Sequence, residues 1–207
     1  MRTFWLPRMS WRQAFLLLAS FVVVLAVSLS ALATNAARED AALVPAWFEL
    51  WERCRVAIEV RQPINITGLI PTVMADPSDL EQSWAPLAGG PFILTERHRT
   101  GPAGMTRSCE VKLGDAKKSL SAVGLARITF AFAQQRSLLM NKRSHKSWDS
   151  GELSGITTLG FGPIDPDPAG CMVVSVLFAA PEDRWFNTVT GEQPASCNGG
   201  PPLAPNT

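Results

Sequence analysis

The chain holds 207 residues, 46% hydrophobic and 18% charged, with a formal net charge of +1. Such a composition excludes a disordered acidic or basic chain, and four cysteines are too few for a dense disulfide scaffold. The length suits one domain behind a targeting segment.

Arg2, Arg8 and Arg12 precede an uncharged stretch from Gln13 to Ala37, with an apolar heart from Ala14 to Val27. Ala31-Leu32-Ala33 supplies the small-x-small end of a secretory signal, so residues 1–33 are predicted to be a signal peptide. The competing reading is an uncleaved N-terminal anchor, because Ala14 to Ala33 is 20 residues without a charge. Under either reading the positive flank places the remainder outside the cytoplasm, in the periplasm or secreted, or tethered to the membrane. Export makes bridged cysteines the expectation for Cys54, Cys109, Cys171 and Cys197. Of the three pairings that four cysteines allow, Cys54–Cys109 with Cys171–Cys197 is preferred. No C-x-x-C occurs, and the cysteines and the two histidines are too scattered for zinc, so no metal or cofactor is predicted.

Residues 34–44 are expected to be a linker, 45–198 a single domain and 199–207 a disordered tail. Trp47, Leu50, Trp51, Cys54, Ile58 and Arg61 recur at three- and four-residue spacing, which predicts a helix from about Ala46 to Val60. Pro45 fits its first turn and Pro63 its end. Trp47 and Trp51 read as core, not as a sugar-stacking platform. Residues 62–91 carry prolines at 63, 71, 77, 86 and 91 and read as irregular, with one short helix capped by Asp76. Strands at 92–97 and 105–113 flank the turn Thr100-Gly101-Pro102-Ala103-Gly104 and predict a hairpin. A second helix is expected from Asp115 to about Gln135, with a strand at 125–133 as its rival. Gly155 to Phe161 and Cys171 to Phe178 read as further strands, and the chain after Phe186 as turn-rich. No internal repeat is visible. These elements predict an α+β fold: two main helices packed on a mainly antiparallel sheet of about four strands, stapled by disulfides.

Charge is unevenly spread. Residues 34–96 carry a net of −5, residues 97–146 a net of +9 and residues 147–207 a net of −6. The densest basic piece is Lys142-Arg143-Ser144-His145-Lys146, with Arg136 upstream and Trp148 just beyond. A second group is Arg97-His98-Arg99 with Arg107. Mixing of these charges across a solvated surface is the plain reading. The sharper one takes Arg136, Lys142, Arg143, His145, Lys146 and Trp148, together with Arg97 and Arg99, as a ligand-binding surface for an anionic envelope polymer or lipid headgroups. Nucleic acid is not an expected partner of an exported chain whose net charge after residue 33 is −2. No G-x-S-x-G, H-E-x-x-H, Walker or dinucleotide motif is present, so no catalytic residue is assigned. The expectation is an exported, non-catalytic binding or accessory protein. Its alternatives are a small envelope hydrolase built around His98 or His145 and a membrane-tethered extracytoplasmic domain.

Overall fold

A computed structural model describes residues 41–72, 80–101, 104–114, 120–148 and 156–193. Helix α1 covers residues 41–59, and four strands follow: β1 (Leu69–Pro71), β2 (Glu81–Pro86), β3 (Phe92–Gly101) and β4 (Gly104–Leu113). Helix α2 (Ala122–Asn141) opens a second run: β5 (His145–Trp148), β6 (Thr157–Pro163), β7 (Val173–Ala180) and β8 (Trp185–Glu192). All eight strands join one antiparallel sheet in the order β1-β2-β3-β4-β8-β7-β6-β5. Each half is therefore a helix followed by a four-stranded meander, and the halves meet through their last strands. The absence of a sequence repeat conceals a repeated topology.

The expectation of about four strands is overturned: among the described residues two helices lie on eight strands. The strands at 92–97, 105–113, 155–161 and 171–178 correspond to β3, β4, β6 and β7. Those missed are β1, β2, β5 and β8, and each has a physical reason. β1 has three residues and ends on Pro71, which is tolerated because β1 is an edge strand. β2 ends on Pro86 inside the stretch read as irregular. β5 has four residues and lies hidden in the basic run. β8 turns Phe186, Thr188, Thr190 and Glu192 inward, so most of its buried face is polar and its alternation is inverted. Those polar groups are partnered: Trp47 Nε1–H donates to Thr188 at 3.1 Å, Ser175 and Thr190 hydroxyls meet at 2.8 Å, and Glu192 accepts the Arg107 N–H at 2.9 Å.

The helices also shift. α1 includes residues 41–44, expected in the linker, so Pro45 lies inside it. α2 begins after Ser121, whose hydroxyl accepts the Gly124 N–H at 2.8 Å as an N-cap, and runs to Asn141. That excludes a strand at 125–133. Asp76, the cap expected from sequence, Asp115, the expected start of the second helix, and the tail 199–207 lie outside the described residues.

Both helices cover one face of the sheet. Trp47 and Trp51 stack at 5.1 Å with both rings fully buried, and Trp51 meets Phe132 of α2 at 5.0 Å and Phe161 of β6 at 6.0 Å. They are core. Leu94, Val111, Ile128 and Leu177 extend this layer beneath both helices. Cys54 of α1 is bridged to Cys109 of β4, fixing the first helix covalently to the sheet. Cys171 is also disulfide-bonded, whereas Cys197 lies outside the described residues. Such a bridge belongs to an oxidising, extracytoplasmic compartment. Among the described residues no helix is long and apolar enough to cross a membrane.

Candidate functional site

The basic run becomes a corner between the end of α2 and edge strand β5. Lys142 is the C-cap of α2, and Arg143 follows with φ of 56°, the left-handed conformation that side chains with a Cβ adopt at a cost. Both are exposed. Strand alternation then turns His145 and Ser147 toward the helices and Lys146 and Trp148 to the opposite face of the sheet. Lys146 Nζ lies 5.7 Å from the Trp148 ring centre. Trp148 lies against glycines: a Cβ at Gly162 would stand 3.3 Å from its Nε1 and collide with the Val173 carbonyl.

The eight residues expected to form one surface do not stay together. Arg136 is structural. Its guanidinium donates to the Gly160 carbonyl at 3.1 Å and to the Ser147 hydroxyl, strapping α2 onto β5 and β6. His145 is nearly buried, with Nε2 3.1 Å from Glu59 of α1 and Nδ1 2.9 Å from Ser144 Oγ. Lys142, Arg143 and Lys146 are exposed and have no acidic partner among the described residues. Arg97 and Arg99 sit on β3, separated from β5 by β4, β8, β7 and β6, roughly 24 Å across the sheet. Arg97 is neutralised by Glu81 at 2.6 Å and Glu110 at 2.9 Å, leaving Arg99 exposed. The two basic groups do not make one patch.

Ser144, His145 and Glu59 have the order of a nucleophile, base and orienting acid, with Glu59 held in turn by Arg55 at 2.5 Å. The surroundings oppose acyl chemistry there. Ser144 Oγ also donates to the Leu139 carbonyl at 3.3 Å, at the negative end of the α2 dipole. A developing oxyanion needs N–H donors, and this end of a helix presents carbonyl oxygens. The arrangement is a clamp between α1, α2 and β5.

A buried ionic belt, whose basic members His98 and Arg107 stood out in the sequence but whose carboxylates did not, crosses the helix-facing side near the end of α1. Arg107 of β4 pairs with Glu96 of β3 and donates to the Gln62 carbonyl at 2.5 Å, while His98 Nε2 lies 3.1 Å from Glu96. Burial disfavours the ionised Glu96, but the His98 hydrogen bond and the Arg107 charge outweigh it and hold this carboxyl below the ordinary range. Arg61, also left-handed with φ of 53°, reaches Asp167 and Glu192 at 3.5 Å each. Burial, with the neighbouring Asp167, pushes the Glu192 carboxyl up despite the Arg107 N–H and the Arg61 charge. Asp167 Oδ1 accepts the Ala169 and Cys171 N–H groups at 2.9 and 2.7 Å. Asp167, Cys171 and Glu192 bring potential ligand atoms within 4.8 Å of one another. A metal does not suit them: Arg61 already supplies the positive charge, and the Cys171 sulfur is committed to a disulfide.

A groove of about 630 Å³ runs beside α1, lined by Phe48, Glu49, Glu52, Arg53, Val56 and Pro63 among others. Its charges are mutually engaged, Glu49 with Arg53 and Glu52 with Arg55. Comparison with known proteins finds no family model, no curated protein and no solved structure that matches this chain.

Proposed function

We propose that the chain is an exported accessory protein of the cell envelope that binds an anionic component through the α2–β5 corner. Residues 1–33 act as its export signal, and the Cys54–Cys109 bridge is consistent with that destination. The observation that carries the reading is the contrast in charge pairing: Lys142, Arg143 and Lys146 stand exposed without an acid among the described residues, while Arg97 and Arg107 are engaged by carboxylates. Arg143, the left-handed residue that ends α2, leaves its side chain exposed, whereas Arg61 in the same conformation is tied to two buried carboxylates.

Retention on a polyanion matrix across a salt gradient tests this. Lys142→Gln, Arg143→Gln and Lys146→Gln together are expected to move elution to much lower salt while the protein stays folded by thermal unfolding. Equal elution of variant and parent would end the proposal. Intact mass of the exported protein tests its route: a chain beginning near Thr34 establishes cleavage, and a full-length mass makes it a tethered envelope domain.

A further inference from the structure

Helix α2 presents an unusual outer face. Its 20 residues include only two charged groups, Arg127 and Arg136, and no acid. The inner side is filled by Leu125, Ile128, Phe132 and Leu139, which are buried. Outward it shows Phe130 at 70% exposure, Val123 at 54% and Leu138 at 50%. Phe130 falls within about 20° of Val123 on the helical wheel and Leu138 within about 60° of Val123, so the three form one stripe. Arg127 and the uncharged Gln134 are exposed on the same arc, and Lys142 and Arg143 stand at its end. The outer side of α1 differs: it carries Glu49, Glu52 and Arg53 in ion pairs, as a helix facing water does.

We infer that the outer face of α2 docks on an anionic lipid bilayer. Phe130, Val123 and Leu138 enter the boundary between headgroups and acyl chains, and Arg127, Lys142 and Arg143 meet the lipid phosphates. An exposed apolar arc that carries a cation within it, cations at its end and no acid suits a charged interface, because each cation near a charged leaflet adds attraction and each acid would subtract from it. A second copy of the chain fits less well, since two such faces would bring Arg127, Lys142 and Arg143 against their own kind. The inference rests on the proposed function in taking Lys142 and Arg143 as free cations, and it names the ligand as a membrane surface.

The test uses the full chain carrying an environment-sensitive fluorophore on Ser137→Cys, an exposed position of α2. A control carries it on Glu182→Cys, an exposed position in the β7–β8 turn. Vesicles of equal parts phosphatidylglycerol and phosphatidylcholine are expected to shift the Ser137 label to the blue and shield it from an aqueous quencher. Vesicles of phosphatidylcholine alone leave it unchanged, and the control label stays in water with both. Lys142→Gln and Arg143→Gln should each weaken the effect roughly fivefold. Phe130→Asp should abolish it while leaving polyanion retention intact.

An unshifted Ser137 label, or an equal shift with both vesicles, overturns the inference. So does a shift that grows with protein concentration without vesicles, which would identify a second copy as the occupant. Retention on the polyanion with an unshifted label removes the lipid assignment alone. Loss of both removes the cationic corner as well.

Discussion

The two halves of the chain share a topology and treat it oppositely. The first half keeps its charges engaged: α1 is bridged to β4, its outer charges are paired, and Arg61 beyond its last turn reaches Asp167 and Glu192 of the second half. The second half is open: α2 is strapped to its strands by Arg136, shows Phe130 to solvent, and leaves the Arg143 side chain beyond its last turn exposed. Both helices end on a left-handed arginine. In α1, Arg61 N–H bonds the Ile58 carbonyl and Gln62 N–H the Ala57 carbonyl, a Schellman ending with arginine where glycine is usual. Equivalent positions thus carry an arginine engaged by carboxylates in one half and, in the other, an exposed one with no acidic partner among the described residues.

The largest expected effect is covalent. Replacing Cys54 and Cys109 with alanine should lower unfolding free energy by about 4 kcal/mol, from the entropy of a loop this long. Urea denaturation measures it, and a loss below a quarter of that would show that packing alone secures α1. Next comes the arginine pair. Arg61→Gly relieves the left-handed strain but strands Asp167 and Glu192, for a net loss of about 2–3 kcal/mol at neutral pH. Arg143→Gly should instead gain about 0.5–1 kcal/mol, because nothing offsets the strain there. Matching signs for the two substitutions would dissolve the distinction between the halves.

A smaller effect is pH-dependent. The raised carboxyl of Glu192 contributes stability that is complete below the unfolded value of about 4.3 and is lost as pH rises through the higher folded one. Glu192→Gln, which keeps an acceptor for the Arg107 N–H and gains a donor for Asp167, should therefore flatten the alkaline side of the stability profile. The lowered carboxyls of Glu96 and Glu81 act in the other direction, present above that value and lost on acidification, so the acid limb should persist. Melting temperature against pH for parent and variant separates the two limbs. Glu59→Gln should change least: it keeps an acceptor for Arg55 and a hydrogen-bonding group for His145, and removes only the carboxylate charge between them.

What was legible in the sequence follows from where partners lie along the chain. The stripe of Trp47, Trp51 and Cys54 and the β3–β4 hairpin are local patterns, visible within a dozen residues. β8 was not, because its buried face consists largely of Thr188, Thr190 and Glu192, whose partners sit on α1, β4 and β7. The corner was legible as a run of basic residues, but its division was not. Only the fold could show that Glu59, 86 residues upstream, claims His145, or that Arg136 belongs to β6. The left-handed Arg61 and Arg143 had no sequence mark either, since glycine is the residue that announces that conformation.

The seam between β4 and β8 has a consequence for how the chain is made. Within each half, neighbouring strands follow one another directly, whereas the seam joins residues about 80 apart. Synthesis proceeds from the N-terminus, so every residue of the first meander, Cys54 and Cys109 included, is made before β8. During that interval β4 is an open strand edge, ten residues long, waiting for its only neighbour on that side. A chain arrested after Leu113 should therefore form the bridge and then self-associate through β4, a hazard that the arrival of the second half removes.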